Sequence, residues 1–251
     1  MAGQTDQTDQ AGNGTLSVAV IIPVLNEETG ILKTLEDLIA SHSFEQLIIV
    51  DGGSVDNTCQ LVREFIDKQG GHFHGGNILF TESARGRAVQ MNAGSSLSDS
   101  GILVFLHADT VLPQNAIASI TDTIKRGALW GRFAVTLGQP GIGYRMVAAA
   151  MNLRSRISGI TTGDQALFVR RDLFRLIGGY PVIPLMEDIV LSKRLKEIEA
   201  PVFIKDKVIT SARRWQQKGI LLTILSMWLL RFLFWTGVSP ARLARHYPDR
   251  R

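Results

Sequence analysis

From Leu16 onward, short apolar runs alternate with stretches whose apolar residues recur every three or four positions. "SVAVIIPVL" is β-branched and ended by a proline, the pattern of a strand covered on both faces. "EETGILKTLEDLIAS" carries helical spacing at Ile31, Leu35 and Leu38. "EQLIIVDGGS" predicts a second strand that breaks at glycines, and "NTCQLVREFIDKQ" a helix with Asp56 or Asn57 as its N-cap. "NILFTE" and "GRAVQMNAGSSL" form a third pair. "GILVFLHADT" and "PQNAIASITDTIKRG" form a fourth, with a proline near the first helical turn.

Four strand–helix units in succession predict an α/β fold with a mostly parallel central sheet covered by helices. Right-handed crossovers then bring the C-terminal ends of the strands to one edge, where such sheets bind ligands. The second half is less regular. "WGRFAVTL" and "QALFVRR" read as strands, "GYRMVAAAMNLRSRIS" and "MEDIVLSKRLKEI" as helices, and "PVFIKDKVITS" as one or two short strands. Neither a repeat nor a linker interrupts the chain. The expectation is one domain over residues 16–238, with a nucleotide-type half (16–110), a substrate half (111–215) and an apolar helix (219–238).

That helix, "GILLTILSMWLLRFLFWTGV", is long enough to span a bilayer. Arg231 inside it would cost about 2.5–3.5 kcal/mol at mid-membrane. A buried or oligomer-forming helix, or one lying in the membrane plane, is therefore expected ahead of a span. Residues 1–15 are polar, lack the features of a signal peptide and read as a disordered tail; residues 239–251 read as a basic tail. The single cysteine, Cys59, excludes an internal disulfide, reads as a packing residue and favours a reducing, cytoplasmic setting, with the inner face of a membrane as an open variant. The net charge of +4 is carried largely by arginine clusters near the C-terminal end, which points to a membrane surface more than to nucleic acid. No zinc spacing or nucleic-acid-binding motif is present.

The chemistry concentrates after the strands. The first is followed by Asn26, Glu27 and Glu28, the second by Asp51, Gly52, Gly53 and Ser54. The third leads to Arg85, Gly86 and Arg87, and the fourth to His107, Ala108 and Asp109. Carboxylates at such an edge accept hydrogen bonds from base or ribose, glycines allow close backbone approach, and arginines pair with phosphate oxygens. Singly, Asp51-Gly52 is also an ordinary turn and Glu27 also suits a helix N-terminus; together they compose a nucleotide site. The dinucleotide fingerprint G-x-G-x-x-G and the P-loop are both absent.

"VAVIIPVLNEE", "IIVDGGSVDNT", "ARGRAVQMNAG", "LVFLHADT" and "LMEDIVLSKRL" resemble the motifs of family 2 glycosyltransferases, whose GT-A fold is Rossmann-like. The longer string "WGRF…MNLRSRISGITTGDQALFVRR…GGYPVIPLMEDIVLSKRL…RRW" is similar to a bacterial subgroup associated with arsenosugar biosynthesis. The resemblance covers roughly Leu16 to Val238. It implies sugar transfer from a nucleotide-diphosphate-sugar donor, a UDP-sugar first, to an acceptor hydroxyl, with inversion. Nucleoside contacts would fall to Pro23, Asn26, Glu27, Asp51, Gly52 and Gly53, and the nucleotide and diphosphate wall to Arg85, Gly86, Arg87 and Asn92. The family's D-x-D motif aligns with His107, Ala108 and Asp109, leaving Asp109 as the ligand of Mg2+ or Mn2+. The E-D pair aligns with Glu187 and Asp188, the second acting as base toward the acceptor, although the pair also suits a helix start. Gly163, Asp164 and Gln165 are a turn or an acceptor contact. Trp130 or Trp215 would stack on a sugar, with Arg214 rather than Arg213 facing the site. The Q-x-x-R-W signature has Ser211 in its first place, which argues against a processive synthase. A nucleotidyltransferase of similar fold and a non-catalytic, membrane-associated binding protein are the competing readings.

Overall fold

Strand β1 (Val18–Val24) is apolar and buried at all seven positions, as a strand covered by helices on both faces must be. Val18, Val20, Ile22 and Val24 pack on one side with α1 (Ile31–Ser41), α2 (Thr58–Gln69) and α4 (Ala116–Lys125). Ala19 and Ile21 pack on the other with α3 (Arg87–Leu97), α6 (Arg171–Leu176) and α7 (Glu187–Ile198). The computed structural model describes residues 16–246. The expected tail over residues 1–15 and the last five residues of the expected basic tail lie outside that range.

Eight further strands complete the sheet among the described residues: β2 (Gln46–Asp51), β3 (His72–Phe73), β4 (Gly76–Glu82), β5 (Ile102–Phe105), β6 (Thr110–Val111), β7 (Trp130–Leu137), β8 (Leu167–Arg170) and β9 (Val202–Thr210). Their order is β3-β4-β2-β1-β5-β8-β7-β9-β6. Parallel pairing joins β4, β2, β1 and β5, and also β7 and β9. The expectation of a mostly parallel sheet is corrected beyond β5. There β8 enters between β5 and β7 antiparallel to both, and the edge strands β3 and β6 are antiparallel to their neighbours. A strand buried on both faces reads the same in either direction, so its hydrophobic pattern holds no information on polarity. "PVFIKDKVITS" forms a single strand whose register with β7 shifts between Phe133 and Ala134.

Helix α5 (Ile142–Ser158) leads into a short 3-10 turn at Gly163–Gln165 ahead of β8. After β9 the chain forms α8 (Arg213–Lys218), α9 (Ile220–Trp235) and α10 (Pro240–His246). Helix α9 turns its Ile220, Ile224 and Met227 toward Leu137, Val147, Ala212 and Trp215. No helix among the described residues is long and apolar enough to cross a membrane. Cys59 is half-buried, and burial with the nearby Asp51 charge pushes its thiol up to about 11, which suits a packing residue.

Trp130 is corrected from a sugar platform to a core residue. It is 0% exposed and donates its Nε1–H to the Glu199 carbonyl at 2.8 Å, so neither ring face meets solvent. Trp130→Phe should cost about 1 kcal/mol in chemical denaturation, because the partly buried Glu199 carbonyl loses its donor, while donor affinity in a binding titration stays unchanged.

Candidate active site

The 105–109 segment leaves β5 at the strand-end edge of the sheet, with the Leu106 N–H bonded to the Ile21 carbonyl and the Thr110 N–H to that of His107. Pairing of β6 with the end of β9 sets Thr110 against Thr210, and the Ser211 N–H donates to the Asp109 carbonyl at 3.2 Å. The segment carrying Arg213, Arg214 and Trp215 is thereby fixed beside Asp109. Helix α7 begins at Glu187 directly after Met186, whose φ of 70° is left-handed. Asn26 and Ala166 share that rare conformation, so all three non-glycine residues with such φ among the described residues flank the strand-end edge.

These segments enclose a cleft of about 290 Å³. His107, Asp109, Gly163, Asp164, Glu187 and Asp188 all line it. Asp188 Oδ2 accepts the Gly163 N–H at 2.8 Å. Burial first and the adjacent Glu187 charge second push the Asp188 carboxyl up to about 7, against the opposing pull of Arg87 and the Gly163 N–H. Glu187 Oε1 lies 3.6 Å from Arg87 Nη1, which balances part of the paired negative charge. His107 is buried, with Nδ1 3.7 Å from an Asp164 oxygen. The close fit is visible at Gly163, where an added Cβ would sit 2.1 Å from His107 Nε2. A second hollow of about 450 Å³ adjoins the first and shares Arg87, Leu185 and Glu187 with it; Pro23, Arg85 and Gly86 also line it.

The expected residues divide accordingly. Arg87, His107, Asp109, Gly163, Asp164, Glu187, Asp188, Arg214 and Trp215 line the first cleft, and Pro23, Arg85 and Gly86 the second. Others are engaged in holding the edge together. Asp51 is buried, and one of its oxygens accepts the Gly53 and Ser54 N–H groups at 2.7 and 2.9 Å. Asn26 accepts the Val55 N–H, while its own N–H bonds Ser54 Oγ. Gly52 is required where a Cβ would meet the Gln90 side chain at 2.8 Å. Asn92 exchanges two hydrogen bonds with the Tyr180 backbone instead of lining either hollow. Gln165 is 0% exposed and closes a capping box with Thr162, so it cannot reach an acceptor. Ala108 is buried, and its carbonyl accepts the Thr34 hydroxyl.

Three features escaped the sequence reading. Arg213 also lines the cleft and reaches Glu27 Oε2 at 3.3 Å, tying α8 to the loop after β1. Met227, Leu230 and Arg231 bring the inner face of α9 into the cleft wall. Gln90 donates from one amide nitrogen to the carbonyls of Val24 and Val50, both at 2.8 Å, locking the ends of β1 and β2. A glutamine on the buried side of α3 is the one signal that pointed to the last of these.

The arrangement combines a carboxylate whose proton affinity is raised with cationic side chains able to meet an anionic ligand. Among solved structures the fold is similar to Staphylococcus aureus TarS, with a TM-score of 0.62 at 17% identity over 78% of this chain and 60% of that one. It is also similar to the mannosyltransferase PcManGT from Pyrobaculum calidifontis, solved with GDP-Man and Mn2+, with a TM-score of 0.57 at 19% identity over 76% and 56%. Among curated relatives, the glycosyltransferase AglE of Haloferax volcanii is 27% identical over 65% of this chain and 56% of its own length. The undecaprenyl-phosphate 4-deoxy-4-formamido-L-arabinose transferase of Proteus mirabilis is 31% identical over 44% and 34%. The chain thus spans less than two thirds of the length of each of these proteins. The family model described as Glycosyl transferase family 2 matches residues 19–173, well over half of the sequence. With that match and this fold, the chain belongs to glycosyl transferase family 2.

Proposed function

We propose that the cleft transfers a sugar from a nucleotide-diphosphate donor, a UDP-sugar first, to an acceptor hydroxyl with inversion at the anomeric carbon and without processive addition. The carrying observation is the Asp188 carboxylate, held in the cleft wall by the Gly163 N–H and raised to about 7. A base with that proton affinity accepts the hydroxyl proton as the oxygen attacks. The second hollow, with Pro23, Arg85 and Gly86, receives the nucleotide, and Arg87 stands where the two hollows meet. Arg87, Arg213 and Arg214 neutralise charge developing on the departing diphosphate. Trp215 is largely buried at the cleft wall, so it shapes the acceptor end more than it offers an open stacking face.

Support for the donor class comes from neighbours solved with UDP, with UDP-GlcNAc and with GDP-Man. The subgroup resemblance adds arsenosugar biosynthesis as the pathway context of this reading, and the lone cysteine a cytoplasmic setting. The apolar helix α9 is the candidate contact with a membrane or a second subunit. Product analysis tests the reaction class: release of nucleoside diphosphate supports it, and release of pyrophosphate would replace it with nucleotidyl transfer.

The residues fit a weakly held divalent cation. Among the described residues no group of three or more His, Cys, Asp or Glu side chains is arranged to hold a metal. Asp109 presents one hard carboxylate in the cleft, and a cation there would need the donor's phosphate oxygens as further ligands. When bound, the metal supplies charge stabilisation to the leaving diphosphate. Mn2+ should therefore bind at least about tenfold tighter with UDP present than alone, read by calorimetry. Equal affinity in both conditions would remove Asp109 from that role.

A further inference from the structure

Helix α9 is apolar on both sides. Its inner face packs on α5 and α8, yet Leu221, Leu222, Leu225, Trp228, Leu229, Phe232 and Trp235 are each 57–78% exposed. Their spacing of three and four residues makes one continuous stripe along the helix. The neighbouring α5 exposes a second stripe with Ile142, Met146, Leu153 and Ile157. Patches of this extent on a protein surface mark a docking site.

The charges around the patch choose the occupant. Arg145 and Arg156 on α5 and Arg242 and Arg245 on α10 are exposed, and neither of these helices nor α9 carries an Asp or Glu, whereas Arg213, Arg214, Lys218 and Arg231 line the cleft. A second copy docked through the same face would bring like charges together with no carboxylate on either helix to meet them. An anionic lipid surface meets both features: headgroups take the arginines, and Trp228, Trp235 and Phe232 suit the boundary between headgroups and acyl chains. At 16 residues α9, like the other helices among the described residues, is not long and apolar enough to cross a membrane, so it would lie in the plane of the interface.

The geometry points to the α5–α9 face as a docking surface for anionic membranes, which places the cleft mouth at the lipid. Met227, Leu230 and Arg231 on the inner side of α9 line the cleft, so an acceptor hydroxyl carried at the bilayer surface would enter past this helix. That consequence rests on the sugar-transfer reading; the docking itself does not.

Sedimentation of the full chain with vesicles tests it. Phosphatidylcholine vesicles containing phosphatidylglycerol should bind the protein at least about tenfold more strongly than phosphatidylcholine alone, and added salt should weaken the binding. The double variant Leu225→Gln/Trp228→Gln should lower vesicle binding by about tenfold or more, with the thermal shift given by UDP unchanged. If that variant fails to fold, Arg145→Gln/Arg245→Gln replaces two exposed charges and should reduce the preference for anionic vesicles by about tenfold. Wild-type protein that stays in solution with both vesicle types would overturn the proposal. So would a lipid-free dimer that the Leu225→Gln/Trp228→Gln variant dissociates, since the face would then belong to a second copy. Vesicle binding without nucleotide binding would sink the sugar-transfer reading alone.

Discussion

Asp188→Asn protein is expected to fold and bind donor like the wild type while transferring sugar about 10²–10⁴-fold more slowly, the usual cost of removing a positioned base. The amide keeps the shape and still presents an oxygen to the Gly163 N–H, so the loss falls on kcat and not on donor affinity. Wild-type turnover in the variant, measured by nucleoside diphosphate release, would remove Asp188 from the mechanism. The pH profile gives a second readout. Wild-type kcat should rise as the carboxyl loses its proton near 7 and then level off, whereas the residual rate of the variant lacks that limb. Stability moves the other way. Burial raises the carboxyl's proton affinity above its unfolded value, so its contribution to stability is fully present below the unfolded pKa near 4 and is lost as pH rises through about 7. At pH 8 the asparagine variant should therefore be at least as stable as the wild type. An inactive variant that gains stability above neutral pH is the signature of a charge buried for function.

Asp188 was singled out by the resemblance of the Glu187-Asp188 pair to a family motif, since the helical period that follows suits an ordinary helix start as well, and the four strand–helix units of the first half were legible because β1, β2, β4 and β5 are short and apolar. Less of the second half was legible. The direction of β8 follows from the 3-10 turn at Gly163–Gln165 and from Ala166 with φ of 46°, local backbone states that hydrophobic spacing does not encode. Trp130 was a candidate as an aromatic ring that could stack on a sugar, and Gln165 as part of a turn or acceptor contact, yet β7 and the capping box bury both. Chemistry-bearing residue types mark candidates; only the packing decides which reach the cleft. Asp51 and Asn26 make the same point more finely. They stand at the expected edge, but Asn26 ties the loop after β1 to the loop after β2, and Asp51 folds the latter loop onto itself. Arg213 was passed over for Arg214, since one residue in a short helix changes direction by about 100° and α8 had no periodic signal to set its phase.

Gly163→Ala should be nearly as damaging to activity as loss of the base, although it removes no functional group. An ideal Cβ at this position would lie 2.1 Å from His107 Nε2, 2.3 Å from His107 Cε1 and 3.3 Å from an Asp188 oxygen. His107 is 3% exposed between β5 and the cleft, so it has little room to retreat. The Thr162–Asp164 turn must shift instead, and it carries with it the N–H that orients Asp188. A displacement near 1 Å of such a group costs about 10²-fold in rate. Losing that hydrogen bond also removes one of the influences that lower the Asp188 proton affinity. The rising limb of the pH profile should accordingly move to higher pH, a change that simple destabilisation would not produce. Gly30→Ala is the matched control, since nothing lies within 4 Å of its added Cβ and its backbone is not left-handed. That variant should keep wild-type kcat and pH profile. If Gly163→Ala matched it in both, the contact between the Gly163 turn and Asp188 would have no part in setting the base.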